Sequence, residues 1–327
     1  MTARRTVLGA GLAALLTAGA TVPPLRTNPL RNNAPRDIAA IGAIEEHLAS
    51  ETSMDRLIGY YAPDATVLDI YAPGLYRGRA QIYAAFARQM AGVKSMSHKM
   101  LEMDVASDGN FACAASQIHF DIKLKAGKPL NMSVRQLDAF KRVGGKWQII
   151  QQHISLPVDP VTSMALLDKP AAAGPKIAWA KNPFPGPANS PTAARAAIRR
   201  WMEVAGASTD IRMMMGYYGP ADDVLVYDMG PTTLRGLGEV RNHYSAVMGS
   251  FTDPKIAMPF FAVDSDGLFG VQIDTQHLSI ELKDGSTTRL ALRQSDCMRK
   301  VGPRWYSFME HLSFVVDPKT AMAIDRY

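Results

Sequence analysis

Cysteine is scarce in this chain, basic residues are not clustered, and no apolar run is long enough to cross a bilayer. Each absence narrows the field. Cys113 and Cys297 fall in no metal-binding spacing, which argues against a structural zinc site. Each sits in a strand-like stretch, and the two occupy non-equivalent places in the repeat described below, so buried thiols are expected rather than a disulfide. The net charge of +6 is spread along the sequence. A protein that grips phosphates concentrates its lysines and arginines, so no nucleic-acid partner is expected. The apolar run from Val7 to Leu16 is well short of the roughly 20 residues that a spanning helix needs. It follows Arg4-Arg5 and precedes the small residues Ala18-Gly19-Ala20, so residues 1–20 read as an export signal of twin-arginine-like type. On that reading the mature chain begins near Thr21, is periplasmic or secreted from a bacterium, and keeps no stable membrane insertion. An uncleaved anchor is the alternative.

What is present is a duplication. Arg77-Gly78 returns as Arg235-Gly236, an offset of 158 positions that holds without a gap to Met164 and Met322. Ser107-Asp108-Gly109 returns as Ser265-Asp266-Gly267, Arg135-Gln136 as Arg293-Gln294, and Asp138 as Asp296. Trp147, His153, Ser155 and Asp159-Pro160 return as Trp305, His311, Ser313 and Asp317-Pro318. A period this long, used twice, indicates two copies of a domain that folds alone, because solenoid units are much shorter. With 47% hydrophobic and 20% charged residues, each copy has the means to build a core. Residues 21–36, rich in Pro and Asn, read as an N-terminal arm. Repeat one spans 37–168, a Pro/Ala-rich linker 169–191, and repeat two 192–327; Trp179 in the linker is expected to dock on a domain surface.

Within repeat one, Ile38, Ile41, Ile44 and Leu48 recur at helical spacing, as do Leu57, Ile58 and Tyr61. A short strand at 66–71 and a helix at 79–90 follow. Four runs of period-two character come next, at 96–106, 111–125, 130–142 and 146–156, with hairpin signals at Asp108-Gly109, Ala126-Gly127 and Gly144-Gly145. Asp159-Pro160 then reads as the start of a short helix. Helices followed by an antiparallel meander make an α+β unit. Counting back from Gly144-Gly145 sets Asp138 opposite Gln151 and Gln136 opposite His153. Counting from Ala126-Gly127 sets Gln117 opposite Gln136 and His119 opposite Val134. That register places Gln117, His119, Gln136, Asp138, Gln151, His153 and Ser155 on one face. Repeat two would carry Thr275, His277, Gln294, Asp296, Met309, His311 and Ser313 there. Such a face suits a ligand pocket, in which apolar walls bind and a few polar groups orient. It also suits a solvated surface, an inter-domain contact or a buried hydrogen-bonded pair of Asp138 with His153, with a His-Asp-His metal site as a lesser alternative.

The segments Tyr61-Ala-Pro-Asp-Ala-Thr-Val-Leu-Asp69, Arg77-Gly78, Asp138-Ala-Phe-Lys-Arg-Val-Gly-Gly-Lys-Trp147 and His153-Ile-Ser-Leu-Pro157 resemble the SnoaL-like and ketosteroid-isomerase-like branch of the nuclear transport factor 2-like superfamily. The resemblance covers nearly all of both repeats. It implies two tandem cone-shaped α+β barrels, each with helices packed on a strongly curved antiparallel sheet around a mostly apolar cavity. In the isomerases one Asp is the general base, and a second, kept protonated by an apolar site, donates a hydrogen bond to the enolate oxygen. Carried over, Asp69 matches the base and Asp138 the oxyanion position. Repeat two offers Asp296 and, after a small insertion before it and a deletion after it, Asp228, with Tyr227 as the competing equivalent. The isomerases also carry a Tyr on the first helix; the stretch from Glu45 to His47 has none, and Trp201 lies there in repeat two.

The resemblance implies a cofactor-independent isomerase, lyase or cyclase acting on a small apolar carbonyl or aromatic compound. Asp69 and Asp228 would abstract a proton, while Asp138 with His153, and Asp296 with His311, would stabilise the oxyanion or return the proton. Tyr60, Tyr71, His119 and Gln136, and in repeat two Tyr217, Tyr227, His277 and Gln294, are the expected ligand-binding groups. Core packing is the alternative for the tyrosines. No cofactor and no metal are expected. If one repeat is active, repeat one is the stronger candidate. The competing reading is a non-catalytic periplasmic binding or scaffold protein, with the repeats paired as an internal pseudo-dimer or the chain as a homodimer.

Overall fold

The structure, a computed structural model, describes residues 35–169, 188–206, 208–249 and 251–325, together with Gly174 and Ile177. The expected export signal, nearly all of the N-terminal arm and Trp179 lie outside the described residues. The first unit runs α1 (Pro35–Ser50), α2 (Met54–Ile58), β1 (Tyr61–Leu68), β2 (Leu75–Arg77), α3 (Gly78–Met90), β3 (Val93–Ser107), β4 (Phe111–Leu124), β5 (Leu130–Val143) and β6 (Lys146–Ser155). The second runs α4 (Pro191–Gly206), α5 (Ile211–Met215), β7 (Leu225–Tyr227), β8 (Thr233–Arg235), α6 (Gly236–Met248), β9 (Phe251–Ser265), β10 (Phe269–Leu282), β11 (Thr287–Val301) and β12 (Arg304–Ser313). Short strands β13 (Val315–Val316) and β14 (Ala323–Ile324) close the chain.

The sheet order is β2-β1-β6-β5-β4-β3 in the first unit and β8-β7-β12-β11-β10-β9 in the second, the same path followed twice. In each, the short first strand lies parallel to the last long one, and the long strands form an antiparallel meander. This is the tandem α+β cone expected from the sequence. The repeated Arg-Gly has a backbone cause: Gly78 and Gly236 open α3 and α6 at φ of 74° and 80°, where a side chain is strained. Gly144 and Gly145 also take positive φ, as a tight hairpin requires.

Three sequence expectations change. First, the ladder between β5 and β6 starts as counted, with Arg142 opposite Trp147, but a bulge at Ile150 shifts it: Ala139 pairs with Gln151, Asp138 with Gln152, and Leu137 with His153. The β4–β5 turn is longer than a two-residue tip, so Gln117 pairs with Arg135 and His119 with Ser133. Because side chains alternate along a strand, one residue of slip moves each to the other face. Second, Asp159-Pro160 opens a tight turn, not a helix; Asp159 Oδ1 accepts from the amides of Val161 and Thr162, and Asp317 repeats this with Lys319 and Thr320. Third, Cys113 and Cys297 form a disulfide across the two units.

That disulfide lies in an apolar layer where the outer faces of the two sheets meet. Leu137, Ala139 and Phe111 from one unit and Tyr227, Val271, Phe269, Phe308 and Met309 from the other are buried there. The cysteines look unrelated in sequence because they are not repeat equivalents. Two sheets facing each other about a pseudo-twofold axis place a residue of one copy against a different residue of the other. Segments 156–166 and 314–325 then cross over, each pairing with the opposite unit. Val158 N donates to Met229 O at 3.0 Å, and its repeat counterpart Val316 N donates to Ile70 O at 2.9 Å.

Candidate functional sites in the two cavities

Each sheet curls around its helices and leaves a cavity on its inner face. In the first unit the cavity holds about 330 Å³. The even-numbered residues of β4 and β5, among them Ile118, Phe120, Met132 and Val134, make one wall, and Leu48, Ala49 and Phe86 of the helices make another. Asp69 lies at the end of β1 and opens into this space. Its Oδ1 accepts the amide of Ile70 at 2.8 Å, and Gln89 of α3 donates to Oδ2. Burial raises its pKa against those two hydrogen bonds.

Asp138 does not reach the wall; it lies one layer behind, with no exposure. Gln136 and Gln152 donate to its Oδ2 at 2.9 and 3.0 Å, and Tyr61 donates to Gln152 Oε1 at 2.6 Å. Tyr61, Gln136 and Gln152 are the groups that face the cavity. Gln136 also donates at 3.0 Å to Glu45 of α1, a buried carboxyl in the Glu45–His47 stretch that has no Tyr. Burial and then the adjacent Asp138 push the Glu45 pKa well up, while burial lifts Asp138 to about 7. Two carboxyls this close do not both ionise readily, so the pair holds a proton.

The second cavity is larger, about 710 Å³, and carries more polar chemistry. The pairing of β7 with β12 sets Tyr227 opposite His311, and that of β1 with β6 sets Leu68 opposite His153. Tyr227 is therefore the counterpart of Leu68, and Asp228 that of Asp69. Asp228 Oδ2 is 3.2 Å from His243 Nε2 on α6, and both line the cavity. The hydrogen bond to Asp228 raises the His243 pKa against burial. Burial works to raise that of Asp228, but the hydrogen bond and charge of His243 outweigh it and the net shift is downward.

Glu310 takes the place of Gln152 and faces the same space. Tyr218, the counterpart of Tyr61, donates to its Oε2, and Tyr244 donates to Oε1 at 3.3 Å. Burial, reinforced by Asp296, lifts its pKa well up. Asp296 again lies behind the wall, at a pKa of about 6 through burial, and accepts from Gln272, Gln294 and Ser307. Tyr217 and Gln294 line this cavity, as Tyr71 and Gln136 line the first.

The other expected site residues lie elsewhere. His153 and His311 project from the outer faces, so the expected pairings with Asp138 and Asp296 do not form. Instead the two rings stack on each other between the units, centroids 3.9 Å apart. Tyr227 packs edge-on against His311 in the same layer. His119 bonds Ser133 Oγ at 2.9 Å on the outer face of its sheet, and His277, one residue out of step with the cavity-lining Gln276 and Leu278, shares that side of the second. Tyr60 points to His47 near the surface, and its neighbour Tyr61 takes the cavity position. His243, Glu310 and Tyr244 were not legible in the sequence: the bulge at Phe308 breaks the alternation, so Glu310 and Leu312 face the cavity while Phe308 lies between the units. Among the described residues no group of three His, Cys, Asp or Glu could hold a metal ion, and no helix is long and apolar enough to cross a membrane.

Residues 39–159 match the family model of the SnoaL-like domain. No curated protein matches the chain. Solved structures that are similar include a nuclear transport factor 2-like protein of unknown function from Pseudomonas putida, at 22% identity over 41% of this chain and 96% of its own, with a TM-score of 0.38. A nuclear transport factor 2-like superfamily protein from Salmonella enterica is 16% identical over 39% of this chain and 94% of its own, with a TM-score of 0.35. A protein with a cystatin-like fold from Nostoc punctiforme is 15% identical over 40% and 96%, with a TM-score of 0.34. Residues 39–159 thus form a SnoaL-like domain, and the second unit repeats its strand order.

Proposed function

We propose that the chain is a cofactor-independent acid–base enzyme for a small, largely apolar carbonyl or aromatic compound, and that the second unit carries the chemistry. One observation bears most of this reading: the Asp228–His243 pair and the tyrosine-bound Glu310 open into one cavity of about 710 Å³. Nε2–H of His243 donates to Asp228, which leaves Nδ1 with the lone pair of a general base. A base of raised pKa works close to neutral pH, where proton transfer is most effective. Glu310, neutral through burial, supplies a hydrogen-bond donor for a developing oxyanion, and Tyr244, bonded to its Oε1, holds the carboxyl in place. The reaction would move one proton from a carbon acid to His243 and return it to oxygen or to another carbon, as isomerisation or elimination requires.

The first unit supports a second reading, ligand binding without turnover. Its cavity is smaller and mostly apolar, and both Asp69 carboxylate oxygens are already engaged. Export to the bacterial periplasm is part of the proposal, and an inter-unit disulfide suits an oxidising compartment. The packed units act as an internal pseudo-dimer, so the chain should elute from gel filtration as a monomer.

The test begins with mass spectrometry of any molecule retained through native purification, followed by turnover of that compound and its close analogues. Asp228→Asn and His243→Gln should each lose turnover by a factor of about 100 or more while the thermal midpoint stays nearly unchanged. In the parent protein kcat/KM should rise with pH as His243 deprotonates above 6.5 and fall again as Glu310 ionises. Full activity in His243→Gln would sink the assignment.

A further inference from the structure

The loop that carries Asp228 is held from the other unit. Between β7 and β8 the chain turns through residues 228–232, and three of its carbonyl oxygens accept from the first unit. Arg135 on β5 donates Nη2 to Gly230 O at 2.8 Å and Nη1 to Thr232 O at 3.2 Å. Val158, on the crossing segment, donates its amide to Met229 O at 3.0 Å. Arg135 is 2% exposed and sits over the Tyr227 ring at 5.6 Å, so its fork is fixed in one place. Val158, Asp159, Pro160, Val161 and Ser163 of the first unit also line the second cavity.

The arrangement is reciprocal. Arg293, the repeat counterpart of Arg135, is equally buried and donates to Asp69 O and, at 2.9 Å, to Phe314 O. Each unit thus lends one buried arginine to the loop that bears the other unit's cavity aspartate. A planar guanidinium that satisfies two carbonyls of a five-residue loop restricts that loop far more than a point charge does. The crossing segments close the same two loops from the opposite side.

We propose that the first unit completes the second cavity, with Arg135 a positioning residue that fixes loop 228–232 and thereby the contact of Asp228 with His243. The proposal rests on the reading of that pair as the base, but its test follows the geometry of the pair and not turnover, so either can fail without the other. The probe is the proton titration of the His243 ring by NMR in the full chain, the resonance being assigned by its loss in His243→Gln. In Arg135→Lys the charge stays and the two-carbonyl grip is lost. The His243 pKa should fall toward its ordinary 6.5. Amide exchange in residues 228–232 should quicken at the same time. Arg135→Met should quicken the same amide exchange, although its lost charge also acts on Asp228, and the mirror variant Arg293→Met should leave His243 alone. A His243 titration unchanged or raised in folded Arg135→Lys overturns the proposal, since the charge and not the grip would then matter. An equal fall in Arg293→Met overturns it too, by showing a general loosening of the interface. If Arg135→Met does not fold, the lysine variant alone carries the test.

Discussion

Glu45 shows how one side chain changes the account of a cavity. It sits on α1 with no exposure, shares Gln136 with Asp138, and bonds to Asp138 itself through the proton the two carboxyls hold. A carboxyl in that position is tolerable only while it keeps its proton. Its folded pKa is raised, so its favourable contribution is complete below the ordinary 4.5 and is lost as pH rises toward the folded value. Gln at this position mimics the neutral acid at every pH. Glu45→Gln should therefore gain stability over the parent by up to about 1.4 kcal/mol per pH unit above 4.5, read from urea unfolding at pH 5, 6 and 7. A constant difference across that range would mean that Glu45 is ionised in the fold. The residue was hidden in the sequence because Glu45-Glu46-His47 reads as a solvated helix face. The helical spacing does set Glu45, four residues from Ile41 and three from Leu48, on the inward side, but a glutamate there reads as the margin of the solvated face.

At the scale of elements the sequence reading succeeded where a local signal exists and failed where one extra residue decides. The hairpin tips at Asp108-Gly109 and Gly144-Gly145, the limits of α3 and the repeated Arg-Gly follow from local backbone preference and were legible, whereas the tip at Ala126-Gly127 and the helix at Asp159-Pro160 were not. The partition of the polar residues between cavity and interface was not, because the bulge at Ile150 has no signature in the pattern. Its counterpart at Phe308 sits between the pairs Cys297–Met309 and Met298–Ser307, so the second copy offers no independent check. A shared bulge keeps the 158-residue offset intact and leaves the slip invisible. The two copies also pack their helices differently on the same sheet. Gly270 on β10 is the counterpart of Ala112, and a Cβ there would run into Ile198 of α4 and the Trp305 ring. Gly270→Ala should thus lower stability by about 1–3 kcal/mol through overpacking, with the loss measured by denaturant unfolding. A neutral result would mean that α4 is free to shift on its sheet.

For the whole molecule the seam between the units matters as much as either cone. Covalent, apolar and polar contacts all converge there: the disulfide, the layer around Phe111 and Phe269, the crossed arginines and the stacked histidines. His153 bonds Ser295 Oγ at 2.9 Å and Ser313 Oγ at 2.6 Å, and His311 Nε2 bonds Ser155 Oγ at 2.7 Å. His311 Nδ1 meets no serine, because Leu137 stands where the repeat places Ser295 in the other copy. Arg135, Arg293 and Tyr227 lie near the rings, and among the described residues no carboxylate bonds to either. Burial holds both histidines well below the ordinary 6.5; for His153 the neighbouring His311 adds to the effect, and for His311 Arg135 does. A base whose folded pKa is lowered stays neutral in the fold while the unfolded chain takes up protons, so the stability it supports is present above 6.5 and declines as pH falls below it. Each ring contributes about 1.4 kcal/mol per pH unit in that range, and the pair close to 3. The buried carboxyls oppose this, Asp138 and Asp296 among them, because their raised values favour the folded state at low pH. The parent protein alone would show only the sum. Comparison with His153→Gln/His311→Gln removes the carboxyl contribution, which both proteins share. Between pH 6.5 and 5 the parent should lose stability relative to the double variant along the histidine slope, whatever offset the lost hydrogen bonds impose. Parallel stability curves would mean that the stacked pair takes up its proton without opening the seam.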